Sequence, residues 1–243
     1  MNFRINKKKI ILFFSAAILV AGGLVIYAFA STMNKTELEF RIHINEKLVR
    51  ESTFGESSTF AIWLEDPSNG KVKTIFVTSR AGLGDWEGKA AVPVALPKWF
   101  EINKTEKQAI ENSDLKEAPQ LAITGATPKP GYFDTRVRIT PGSRWICWIE
   151  VNLAGDFNEN YPEYDEVRKT SDEFKTGQPA LLYKAEIEAV TGNSVKPEIS
   201  GIILLDSTGK AIIASPAGIT SASGIFDEIN INVVKPKPRI IEW

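Results

Sequence analysis

The stretch RWICWIEVNL, Arg144–Leu153, sets apolar against other residues at every second position, with Trp145, Cys147, Ile149, Val151 and Leu153 on one side. A period of two is the signature of a strand with one buried face. ELEFRIHI (Glu37–Ile44) repeats it, with Leu38, Phe40, Ile42 and Ile44 against Glu39, Arg41 and His43. STFAIWLE, KVKTIFVT, TRVRIT, LLYKAEIEAV, ISGIILLD and IFDEININVV are further strand candidates, rich in Ile, Val, Thr and aromatics. Asp66-Pro67-Ser68-Asn69-Gly70 and Asp206-Ser207-Thr208-Gly209-Lys210 carry the residues of tight turns, and each is expected to close a hairpin. Many strands with frequent turns predict an all-β fold, an immunoglobulin-like β-sandwich, as a single domain over residues 31–243.

One short surface helix is expected in KTEKQAIENSDL, where Thr105 and Gln108 have capping-box spacing and Pro119 lies beyond the end. Two stretches are too long for simple turns, about 82–119 and 156–179. Phe157, Tyr161, Tyr164 and Phe174 suggest that the second packs as an ordered covering loop.

The N-terminus points to export. Arg4, Lys7, Lys8 and Lys9 precede IILFFSAAILVAGGLVIYAFA, which runs from Ile10 to Ala30 without a charge. A basic head before an apolar run leaves the charge in the cytoplasm and sends the rest across. Ala28-Phe29-Ala30 has the small-x-small pattern of a cleavage site, while the run is also long enough to span a bilayer uncut. Residues 1–30 therefore read as a signal peptide or a signal anchor forming an N-terminal hydrophobic helix. The remainder is expected to be extracytoplasmic (periplasmic), free or anchored to the inner membrane. All 30 acidic residues and 25 of the 29 Lys and Arg lie in the body, giving it a mild negative charge that argues against nucleic acid as a partner.

Several chemistries are excluded by residue supply. A single cysteine allows no internal disulfide, and Cys147 is expected to be a buried core thiol. His43 is the one histidine, on the polar face of its strand, so a Ser–His triad or a multi-histidine zinc site has little to draw on. GLGDWEGKA, Gly82–Ala90, has a Gly-Lys pair but not phosphate-loop spacing, and Ala90 replaces the magnesium-binding hydroxyl. DFNEN places Asp156, Asn158 and Asn160 at positions one, three and five of a candidate calcium loop. Tyr161 and Val167 then stand where that loop needs Gly and Glu.

Several ordered segments carry a resemblance: FAIWLEDPSNGKVKTIFVT, ALPKW, ITGATPKPG, IEVNLAGDFNENY, GQPALLYKAEI and GITSASGIFDEININV. Together they resemble a family of predicted periplasmic proteins known only as domain of unknown function 2271. Its members are sometimes compared with the immunoglobulin-like part of a flagellar hook-capping protein. That resemblance implies a sandwich and no activity.

Thr124-Gly125-Ala126-Thr127 has two readings. On the residues alone it is a glycine-centred turn leading into TRVRIT. It is also similar to the Ser/Thr-Gly-Ala-Thr/Ser motif of exported flavin-carrying proteins, in which a transferase joins FMN through its phosphate to the last hydroxyl. That resemblance implies covalent FMN on Thr127, with small residues Gly125 and Ala126 admitting the phosphate beside Thr124. Lys129 would balance the phosphodiester, and Tyr132 or Phe133 would stack on the ring. Leu121 stands where such motifs usually carry Asp.

Three functions are thus expected to compete. The first is an exported, membrane-anchored binding or accessory module, not an enzyme, with an extracytoplasmic protein partner. The second is an electron carrier with FMN on Thr127, served by a flavin transferase and a membrane redox protein. The third is a carbohydrate-binding or carbohydrate-active protein using loop carboxylates and an exposed Trp86 or Trp99.

Overall fold

The computed structural model describes residues 7–30, 32–79, 81, 94–111, 123–125 and 127–238; side chains are not described for 7–15, 105–111 and 123–125. A helix α1 (Lys7–Ala30) leads into β1 (Thr36–Ile44) and the one-turn-and-a-half α2 (Glu46–Glu51), capped by the Asn45 side chain on the N–H groups of Lys47 and Leu48. The hairpin β2 (Thr59–Glu65) and β3 (Val72–Thr78) precedes α3 (Pro97–Glu111), β4 (Ile123–Gly125), β5 (Gly131–Ile139) and β6 (Arg144–Asn152). A ribbon of β7 (Tyr164–Asp165) and β8 (Thr170–Ser171) interrupts the path to β9 (Ala180–Glu188). The chain ends through β10 (Ser194–Val195), β11 (Glu198–Leu205), β12 (Ala211–Ala214), a 3-10 turn at Ser221–Gly224 and β13 (Phe226–Val234).

These strands form two large sheets packed face to face, the sandwich that the alternation predicts. Among the described residues, one sheet has four strands in the order β10-β13-β1-β5; the other has seven, in the order β12-β11-β9-β6-β2-β3-β4. All eight strand candidates lie in these sheets. Leu38, Phe40, Ile42 and Ile44 point inward from β1, and Cys147, Ile149 and Val151 meet them from β6. Each fully buried Leu, Ile or Phe contributes about 1.5–3 kcal/mol relative to exposure. Both expected hairpin turns form: Asp66 accepts the N–H and hydroxyl of Ser68, Asp206 does the same for Thr208, and Gly70 and Gly209 follow with positive φ.

The helix differs from its expected place. It begins at Pro97, so Thr105 and Gln108 lie inside it rather than at its start. Proline suits a first helical position because its missing N–H has no partner to lose there. The helix is also not merely superficial. Leu96 and Trp99 are buried with Ala61, Trp63, Val77, Leu182 and Ile203 in a second apolar cluster on the outer face of the seven-stranded sheet. That sheet is buried on both faces beneath α3, which explains the uninterrupted burial of Phe60 to Leu64 in β2.

Along α1, side chains are described from Ala16 onward, and Ile18, Leu19, Val20, Leu24, Val25, Ile26, Tyr27 and Phe29 are all exposed. Among the described residues, no helix is long and apolar enough to cross a membrane.

Candidate functional site

The flavin-like run lies where the chain passes from one sheet to the other. β4 adds to the free edge of β3 in parallel, pairing Val77 with Thr124 and Thr78 with Gly125. Thr124 and Gly125 therefore end an edge strand rather than form a turn, because β3 offers them unpaired backbone groups. Ala126, like Leu121, lies outside the described residues. Thr127 is half-buried in the crossover, and its hydroxyl has no hydrogen-bond partner among the described residues. Pro128 and Pro130 keep this segment extended, and Lys129 is exposed between them.

The two aromatics after the crossover point to opposite faces of β5. Phe133 turns inward, with its ring 4.4 Å from Phe76 and 5.3 Å from Phe60, so it belongs to the core and is not a surface stacking residue. Tyr132 faces out, donating its hydroxyl to Glu228 at 3.0 Å. That bond, reinforced by the charge of Glu228, raises the phenol above its ordinary pKa. Arg41 lies over the Tyr132 ring at 4.3 Å, and the His43 ring meets it edge-on at 4.5 Å.

A bulge in the pairing of β1 with β13 completes this cluster. His43 pairs with Glu228 but Ile44 pairs with Phe226, so Asp227 is the extra residue. His43 Nδ1 lies 2.5 Å from Asp227 Oδ1. The result is an imidazole–carboxylate pair beside a phenol and a guanidinium. None of these four side chains is a Ser or Cys nucleophile. His43 sits on the polar face as expected, but paired.

The calcium-like loop is organised differently from a ligand set. Asp156 accepts from Ser221 Oγ at 2.7 Å and from Gln178 Nε2 at 2.8 Å. Asn158 donates to the Gly218 carbonyl and Thr220 Oγ1, while its own oxygen accepts the N–H groups of Asn160 and Tyr161. Asn160 also donates to Gly218. These side chains tie the long loop to the 3-10 turn, and burial raises the Asp156 carboxyl against the Ser221 bond. Among the described residues, no group of three or more His, Cys, Asp or Glu could hold a metal ion.

From this braced base the β7–β8 ribbon projects. Asp165 accepts the N–H groups of Val167 and Arg168, which shapes its tip. Val167 is 92% exposed there among the exposed side chains of Glu166, Arg168 and Lys169, and Tyr164 and Phe174 are exposed elsewhere in the loop. Tyr161 does pack against the core. The expected covering loop is thus anchored at its base, with Val167, Tyr164 and Phe174 exposed along it.

Trp99 is fully buried and cannot serve as a sugar platform; Trp86 and the Gly82–Ala90 stretch lie outside the described residues. Beneath Trp99 is a residue that sequence reasoning missed. Glu150, fully buried on β6, accepts the N–H of Lys98 at 3.1 Å and of Trp99 at 2.6 Å. Burial pushes its carboxyl up to about 8, outweighing the two N–H bonds that pull it down. Its signal was the lone acid between Ile149 and Val151 in a strand whose neighbour β2 is apolar on both faces.

Compared with known proteins, the chain matches no family model, no curated protein and no solved structure.

Proposed function

We propose that this protein is an extracytoplasmic β-sandwich module, tethered to the inner membrane by residues 10–30, that presents a loop to a protein partner. The observation that carries the reading is the 156–179 loop. Its base is fixed by Asp156, Asn158 and Gln178, while Val167, Tyr164 and Phe174 are held out in water. Ordering exposed apolar side chains in advance lowers the entropic cost of binding. The tether rests on the uncharged run from Ile10 to Ala30 and on the exposed apolar side chains from Ile18 to Tyr27. A photo-crosslinking side chain at Val167 in the full chain, in membranes, tests the loop. One discrete adduct, lost when Phe174 becomes Asp, supports it; no discrete adduct at any loop position counts against it.

A second reading is favoured by Thr127, whose hydroxyl is not engaged by described residues. If FMN is joined there as a phosphodiester, the chain is an extracytoplasmic electron carrier. Tyr132 then lies five residues on, already layered with Arg41. Intact mass after co-expression with a flavin transferase decides this: an increase of one FMN less one water, absent in Thr127→Ala, supports it. An unmodified mass removes it.

A further inference from the structure

The four-stranded sheet has a long edge. β5 pairs with β1 along nine residues, from Thr36↔Ile139 to Ile44↔Gly131. Among the described residues its other side pairs with no strand. Such an edge is a template for another strand unless something blunts it. Pro130 before β5 and Pro141 after it bound the stretch, but no proline interrupts it.

We infer that β5 pairs with β5 of a second copy of this chain, antiparallel and centred on Thr135, joining the two four-stranded sheets into one. The charges select this occupant and this register. Phe133, Thr135 and Val137 face the core side, so Tyr132, Asp134, Arg136 and Arg138 face out. Antiparallel self-pairing keeps like faces together, so only registers that match odd with odd residues are open. Centred on Thr135, Asp134 of each copy meets Arg136 of the other, and Phe133 meets Val137. Centred one residue later, Arg136 faces Arg136; one residue earlier, Asp134 faces Asp134. Like charges directly opposite are destabilising, whereas opposite charges across strands are favourable. Asp134 is exposed and has no ion-pair partner among the described residues, while Arg136 is already held in place by Glu39. The self-complementary order of acid and base is what separates this edge from one guarded by charge of a single sign.

The test uses the full chain in its membrane, with a cysteine at Thr135 or at Tyr132, oxidised and run without reductant. Antiparallel partners place Cα atoms about 4.5–5.5 Å apart, within disulfide range. The Thr135→Cys chain is expected to give a species of twice 26.9 kDa. Two cysteines at 132 would lie about 20 Å apart in this register, from about 3.4 Å per residue, and should not link. The native Cys147 is buried and supplies the unlinked baseline. Adding Asp134→Arg should cut the Thr135→Cys yield at least tenfold. Detergent-purified chain without new cysteines should sediment as a dimer, and Asp134→Arg as a monomer with unchanged thermal unfolding. Equal linking at 132 and 135, no effect of Asp134→Arg, or a monomeric unmodified chain would each overturn the inference.

Discussion

The Glu150 carboxylate accepts the Trp99 backbone N–H at 2.6 Å, so a strand residue caps a helix that starts some fifty positions earlier in the chain. The free N–H groups of a helix's first turn need acceptors, and here the acceptor is buried within the sheet. Glu101 adds a second tie from the same helix, accepting the N–H of Ala211 on the edge strand β12 at 2.7 Å. Together they fix α3 over the outer face of the seven-stranded sheet.

That relationship predicts a stability that falls with rising pH. The Glu150 carboxyl is raised from 4.5 to about 8 in the fold, so between those values the native state keeps a proton the unfolded chain has lost. Its stabilisation is full below about pH 4.5 and is lost as pH rises through 8. Glu150→Gln removes this dependence. Near pH 5 the variant should be less stable by about 1 kcal/mol, because its amide sets a donor against an N–H. By pH 9 the gap should close or reverse, as read by urea unfolding at both pH values.

Trp99→Ala should cost about 3–5 kcal/mol, the range for emptying a large buried site. Denaturant midpoints measure it. A cost below about 1 kcal/mol, the level of surface substitutions, would mean that α3 does not share the core.

Gly177 should tolerate no side chain. Its φ is +70°, and an added Cβ would lie 2.6 Å from the Asp156 carbonyl, across the bridge that closes the loop base. Gly177→Ala is expected to cost about 1–3 kcal/mol by this strain and clash. In the same melting experiment, calcium or a chelator should leave the unmodified protein's midpoint unchanged, because Asp156 and Asn158 are spent on protein hydrogen bonds.

Cys147 should be inert until the protein unfolds. Burial alone pushes its thiol well above the ordinary range. Alkylation followed by mass should therefore track global unfolding, and fast labelling of the native protein would contradict the packing of β6.

How much of this was legible depends on the range of the forces involved. Alternation in β1 and β6 and the Asp–Gly turns at Asp66 and Asp206 are local, and they fixed strands and hairpins correctly. The start of α3 was not legible, because its cap comes from Glu150 and its burial from Trp63 and Leu182. β4 is three residues long and exists through the free edge of β3, so its sequence looked like a turn. Asp156, Asn158 and Asn160 had calcium-like spacing, but their partners lie some sixty positions away around Gly218 and Ser221. Phe133 and Trp99 looked available because one-dimensional neighbours do not reveal which face a second sheet or a helix covers.

Where the full chain resides is the first thing to measure. Alkaline carbonate extraction of membranes, followed by protease treatment of spheroplasts, reads tether and orientation together. A tethered, exported chain is expected to stay with the membrane after carbonate, with its body, residues 31–243, digested from outside. A chain recovered intact from the cytosol would contradict it.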